Sequence, residues 1–268
     1  MRHEAFDGIV VRVRPTGDHD MLLSVLTAEE GRLSVLSKGG KSLRGEQRTV
    51  SQLFTYANFE VYRRGELYIL KGGSPIQSFY GIASDMDRLN LASYLCEVCL
   101  ELTDEGEEAG DMLRLMLNTL YAISRELYPL EIIKGAFEIR SAVLSGYAPD
   151  LSGCEVCGEE NADSLYLDVM NGALLCAPCL HARSSAPKRT GVYDEIREAE
   201  VLAPLTPSTL AAVRYAAGAP IERLFSFGLK DTEEMHLFSS CAESYLLSHL
   251  GRGFESLNFY HAMRQKKT

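Results

Sequence analysis

Apolar and polar positions alternate with period two over residues 8–14, where Ile9, Val11 and Val13 fall on one face and Val10, Arg12 and Arg14 on the other. Residues 21–26 and 33–37 are two further apolar runs, joined through Glu29-Glu30-Gly31. Residues 54–62 and 67–70 form another pair, turning at Arg64-Gly65. Five short strands with hairpin signals between them, all inside residues 1–73, predict a small closed sheet. An OB-type barrel fits this pattern, and an SH3-like barrel reads the same way. In the fourth run Phe54, Tyr56 and Tyr62 share one face, while Ala57, Phe59 and Val61 share the other. If the second face is core, the tyrosines either stack on bases or pack against the rest of the chain.

From Ser84 the period becomes helical. Ser84 with Asp87 resembles a capping box, and Leu91, Leu95, Val98 and Leu102 recur at three- and four-residue steps. Cys96 and Cys99 lie in this stripe and read as small core hydrophobes, since no second pair lies nearby. Residues 104–111 form an acidic, glycine-containing loop, after which Asp111 is placed to cap a second helix bearing Leu113, Met116, Leu117, Leu120 and Tyr121. Pro129 suits the first turn of a third helix, which Gly146 stops. Residues 183–189 read as a polar linker, Thr206-Pro207 as a helix start, and Asp231 with Glu234 as the cap of a last long helix ending at Gly251. The tail carries Arg264, Lys266 and Lys267 and reads as frayed. The expected domains are a barrel (1–73), a helical domain in two halves (74–150 and 183–268) and an insertion between them (151–182).

That insertion carries the strongest chemical signal. Cys154-Glu155-Val156-Cys157, eighteen residues, then Cys176-Ala177-Pro178-Cys179 is the spacing of a four-thiolate zinc site. Two cysteines three apart on a tight turn both reach one ion, and a second pair completes the tetrahedron. Gly158 follows the first pair, where a turn needs positive φ. Between the pairs, residues 165–169 and 173–175 read as a hairpin turning at Asn171-Gly172, so the whole reads as a zinc ribbon. The alternative is two disulfides or four unrelated thiols. No leader with a basic start and apolar core opens the sequence, so a reducing compartment is expected and metal is favoured. Four thiolates leave no coordination position open, so the ion, one zinc, is expected to be structural. A zinc-deaminase reading fails, because no His-x-Glu occurs. His181 could stand in only if a cysteine failed.

Apolar content of 46% and charged content of 24% over 268 residues suit a soluble globular chain, and no apolar run approaches bilayer length. Net charge is −10, but residues 1–72 hold eleven Lys/Arg against nine Asp/Glu, a net +2 that leaves −12 elsewhere. Residues 151–182 contain five acids and no Lys or Arg, so the ribbon is unsuited to phosphate. The basic balance concentrates between the third and fourth strands, where Lys38, Lys41, Arg44 and Arg48 stand against one acid among three glycines. Gly40-Lys41-Ser42 resembles the end of a P-loop, but position 35 is Val where that motif needs glycine, so it is no ATP site. Such a loop either tracks a nucleic-acid backbone or is a solvated surface. Arg12, Arg14, Arg63 and Arg64 are further candidates for phosphate. No serine–histidine–acid or paired-carboxylate grouping can be placed, so no catalytic residue is assigned and no enzyme is expected.

Phe137-Glu138-Ile139-Arg140, then residues 144–151 leading into Cys154-x-x-Cys157-Gly158, resemble the bacterial recombination-mediator RecO family. The opening Gly8-Ile9-Val10-Val11-Arg12, residues 33–39, 205–210, 221–227 and 254–259 resemble it as well. The resemblance implies an α+β multidomain protein: an N-terminal OB-fold barrel, an all-α helical bundle and an inserted four-cysteine zinc ribbon. It implies a cytoplasmic, nucleoid-associated role in recombinational DNA repair, with no membrane. Family members bind and anneal single- and double-stranded DNA and act with RecR. They help load RecA onto DNA coated by single-strand binding protein, whose C-terminal tail they bind. The competing reading is a protein-interaction scaffold with a structural zinc and incidental DNA affinity.

Overall fold

Strand β1 (His3–Thr16) breaks the strict alternation of its sequence. In this computed structural model, β1 bulges between Val10 and Arg12 where it pairs with β2 (Asp20–Thr27). The extra residue flips the phase. Val10 lies opposite Val25 and Val13 opposite Leu23, both turned into the barrel, while Arg12 and Arg14 lie opposite Ser24 and Leu22 outside it. The expected grouping of Val10 with the arginines is therefore corrected: one added residue moves every later side chain to the other face.

The structure describes residues 3–41, 47–65, 67–160, 162, 164–185 and 201–265. With β3 (Arg32–Ser37), β4 (Thr55–Arg64) and β5 (Leu67–Ser78), the first strands close a barrel in the order β1-β2-β3-β5-β4. Within it only β3 and β5 run parallel, which makes this a five-stranded Greek-key barrel of OB type. A short helix α1 (Gln47–Val50) precedes β4. Val10, Leu23, Val25, Leu33, Val35, Ala57, Phe59, Val61 and Leu70 fill the interior. Burying a large apolar side chain of this kind contributes about 1.5–3 kcal/mol. Phe54 lies before β4 at φ 62°, its N–H donating to Val10 O, so it does not share a strand face with the tyrosines.

The chain divides into two compact units, residues 1–128 with 254–268, and residues 129–253. In the first, helices α2 (Met86–Leu102) and α3 (Gly110–Ser124) pack on β1, which buries its outward-facing Ile9 and Val11. Helix α2 is capped by Asp85 rather than Ser84, its carboxylate accepting from the N–H groups of Asp87 and Arg88. Asp111 lies inside the first turn of α3 instead of capping it. The acidic loop before α3 is held to the β2–β3 turn: Arg32 and Gly106 N–H groups donate to Asp104 O and Glu30 O. A side chain at Gly31 (φ 58°) would meet Asp104 O at 2.1 Å. Cys96 and Cys99 are buried in α2, as expected of core thiols. The tail expected to fray instead forms helix α8 (Glu255–Gln265), which packs on α2; Ser256 donates to Glu97 at 2.7 Å and Phe254 meets Tyr94 edge-on. Lys266 and Lys267 lie outside the described residues.

In the second unit, α4 (Leu130–Leu144) packs against α6 (Pro207–Gly218) and α7 (Thr232–Leu250). The run Phe137-Glu138-Ile139-Arg140 explains how. Phe137 and Ile139 are fully buried, and so is Glu138, which accepts from the buried Lys134 ammonium at 2.9 Å. Lys134 also meets Glu243 of α7 at 2.7 Å. Arg140 donates to the carbonyls of Ala216 and Ala219 at the end of α6. Helix α6 starts at Thr206-Pro207 and α7 is capped by Asp231 through Glu234 N–H, both as the sequence predicts; the reciprocal cap of Thr206 with Thr209 on α6 is an addition.

Candidate metal centre and nucleic-acid interface

The four cysteines are brought together by a turn and a helix start. Cys154 ends strand β6 (Asp150–Cys154), and the chain then turns tightly, Gly158 N–H donating to Cys154 O with φ 75° at Gly158. Cys176 ends β8 (Ala173–Cys176), and α5 (Ala177–Ser185) starts at once, which places Cys179 in its first turn. The sulfurs lie within 4.8 Å of one another. Cys157 and Cys176 sulfurs are 3.6 Å apart. A tetrahedron with metal–sulfur bonds of about 2.3 Å has edges of about 3.8 Å, so the set fits one ion. Burial pushes the Cys154 thiol up, but N–H groups of Cys176, Cys157 and Val156 donate to its sulfur and bring it down to about 6. Cys179 moves up because its thiol hydrogen-bonds to Cys176 and Cys157. Four sulfurs at this distance share charge poorly unless a cation stands among them. Tetrahedral sulfur coordination suits zinc.

Parts of the ribbon are not foreseen by the sequence. Strand β9 (Leu202–Leu205), ahead of the Thr206-Pro207 helix start, pairs with β7 (Leu165–Asp168) and completes a sheet in the order β6-β8-β7-β9. Asp168, one of the ribbon's five acids, is 1% exposed; it accepts from the N–H groups of Met170 and Asn171 and shapes the β7–β8 turn. An Asx-turn signal ahead of Asn171-Gly172 was available for this. Arg214 of α6 donates to Leu151 O at 2.9 Å and to the carbonyls of Ser152 and Glu160, which ties α6 to the first cysteine turn. No local signal announces that tie. Arg183 of α5 meets Glu155 at 3.4 Å.

The candidate DNA cations are dispersed over the barrel. Lys38 and Lys41, both exposed, follow β3 in a loop stitched to the β1–β2 turn. There Gly39 N–H donates to Asp20, Lys41 N–H to His19 O, and the Lys41 ammonium to Gly17 O at 2.7 Å. Arg14 and Arg48 are exposed; Arg44 lies outside the described residues. Arg12 is half-buried, and burial together with Arg14 pushes its pKa down while Glu97 of α2 opposes this. Arg63 and Arg64 are exposed at the β4–β5 turn, Arg63 with its guanidinium 5.6 Å from the centre of the Tyr68 ring. Ala57, Phe59 and Val61 are core, as expected, which turns Tyr56 and Tyr62 outward. Tyr56, however, faces carboxylates: burial, then Asp7 and Glu29, push its phenol up. Tyr62 lies edge-on to His3.

These features define an α+β protein that joins an OB-type barrel to helices and a four-thiolate ribbon, and among its described residues no helix is long and apolar enough to cross a membrane. Residues 1–79 match the family described as Recombination protein O N terminal, and residues 83–258 the one described as Recombination protein O C terminal. The chain belongs to the RecO family, and so to DNA repair and recombination. It is 26% identical to the DNA repair protein RecO of Acetivibrio thermocellus over 268 residues, all of both chains. It is 25% identical to that of Clostridium acetobutylicum over 252 residues, 94% of this chain and 91% of the relative. It is 30% identical to that of Alkaliphilus metalliredigens over 173 residues, 65% and 70% of the two chains.

Proposed function

We propose that this protein is a non-enzymatic recombination mediator that grips DNA through its barrel and acts in the bacterial cytoplasm, at the nucleoid. Family membership across both halves of the chain carries this reading. Lys38, Lys41, Arg44 and Arg48, helped by Arg12, Arg14, Arg63 and Arg64, neutralise phosphates with little sequence preference. Exposure of Arg14, Lys38, Lys41, Arg48, Arg63 and Arg64 supports the role; Arg12, half-buried beside α2, contributes least. Holding two strands on basic surfaces lowers their mutual repulsion and permits annealing without ATP. With RecR, the bound strand is handed to RecA on DNA coated by single-strand binding protein, whose C-terminal tail docks on this chain. One zinc held by Cys154, Cys157, Cys176 and Cys179 is structural: four thiolates close its coordination, and the residues present move no proton there. The ribbon, 151–182, is proposed as an insertion that braces the helices on either side.

The test is binding of the full chain to single- and double-stranded oligonucleotides, with and without RecR, at two ionic strengths. Affinity should fall steeply with salt and rise with RecR. Salt-independent or absent binding, with RecR still captured, would favour an interaction scaffold.

A further inference from the structure

The barrel also carries a surface of the wrong sign for DNA. A cleft of about 670 Å³ opens beside β1 and the β2–β3 turn, and its walls carry Glu4, Asp7, Glu29 and Glu30 with no Lys or Arg. Phe6, Tyr56 and Tyr68 supply aromatic wall, and Leu33 and Leu113 an apolar floor. Asp7 is partly satisfied, accepting from Asn58 at 2.8 Å. Tyr68 is only 6% exposed, yet its hydroxyl has no hydrogen-bond partner among the described residues and lines the cleft. That hydroxyl is not itself buried: it opens on the cleft, where it can donate to or accept from an incoming group.

We infer that this acidic, aromatic-walled cleft is a docking site for a lysine- or arginine-bearing segment of a protein partner. Phosphate is repelled by four carboxylates. A single metal ion does not fit either: among the described residues the one cluster of His, Cys, Asp or Glu close enough to share an ion is the four-cysteine set, so these acids do not converge on a point. Charge spread along a strand and a turn instead matches cations spaced along a peptide. The volume lies in the range that takes a few side chains. An aromatic wall of this kind suits a guanidinium: the Tyr68 ring already carries one, that of Arg63, which is not among the cleft's lining residues. Burial and Glu4 push the Tyr68 phenol up, which keeps its hydroxyl protonated and available. The site gives one barrel two recognition surfaces of opposite sign, and its existence is independent of the DNA-binding reading.

The probe is a fluorescent, blocked synthetic octapeptide alternating leucine and arginine, titrated with full-length protein at about 50 mM salt. Replacing the cleft acids together (E4Q, D7N, E29Q, E30Q) should weaken binding about tenfold. The near-isosteric Tyr68→Phe should weaken it about threefold without a change in melting temperature. A control of equal charge change on exposed acids elsewhere (E108Q, E159Q, E222Q, E233Q) should stay within about twofold of the parent. Affinity of the cleft variant for a single-stranded oligonucleotide should hold or rise. Equal losses in cleft and control sets, peptide binding retained by the cleft variant, parallel loss of DNA affinity, or displacement of the peptide by spermidine at the same concentration would each overturn the assignment.

Discussion

The cysteines of the ribbon and the cations of the barrel are each charges of one sign, but they are held in different ways. In the ribbon, four sulfurs are held within 4.8 Å by a tight turn and the first turn of a helix, with backbone N–H groups aimed at Cys154. Charge that dense is stable only around a shared cation, whose coordination four thiolates would fill even with Cys157 exposed. On the barrel, Arg14, Lys38 and Arg64 stand on separate strands and turns, exposed to water. Charge so dispersed is not gathered about one ion; under the proposed function it meets the spaced phosphates of a strand. Density thus separates a site gathered about one ion from a surface proposed to meet a strand.

The largest effect that would sharpen this contrast is removal of the metal. Chelation under reducing conditions, or Cys176→Ala, should unfold the ribbon, a loss on the order of 10 kcal/mol of metal-coupled folding. DNA affinity should change by less than about twofold, because the barrel cations lie in the other unit. Metal content, a thermal melt and a binding titration check this together; a strand affinity that collapses with the metal would break the contrast. Next in size is the ammonium of Lys134, buried between Glu138 and Glu243. Lys134→Met leaves two carboxylates facing each other without their cation and should cost about 3–5 kcal/mol in urea unfolding. The triple variant with Glu138→Gln and Glu243→Gln should recover much of that loss; no recovery would show that packing, not charge, sets the cost.

The same contrast explains how much of the molecule is legible in the chain. Cys154, Cys157, Cys176 and Cys179 are legible because covalent spacing alone builds each pair, and the barrel strands because periodicity marks a core. The bulge between Val10 and Arg12 is not, since a one-residue slip leaves composition untouched and only partner strands reveal it. Nor is Arg214, whose carbonyl partners lie some sixty residues earlier in the chain, or the acidic cleft, assembled from β1, β4, β5, the β2–β3 turn and α3. Strand β9 is masked by Pro204, a residue tolerated at the sheet's edge. Helix α8 reads as tail because its charge suggests solvent, whereas Phe254, Leu257 and Tyr260 bury its other side.

The central claim, that dispersed barrel cations hold a sugar-phosphate strand, is tested most directly by the salt dependence of binding after Lys38, Lys41, Arg44 and Arg48 are all replaced by alanine. Affinity for a single-stranded oligonucleotide should fall about ten- to a hundredfold. The slope of log affinity against log salt should flatten by about 2–3, near 0.7 for each phosphate no longer neutralised. An affinity and a slope both equal to those of the parent would contradict the claim.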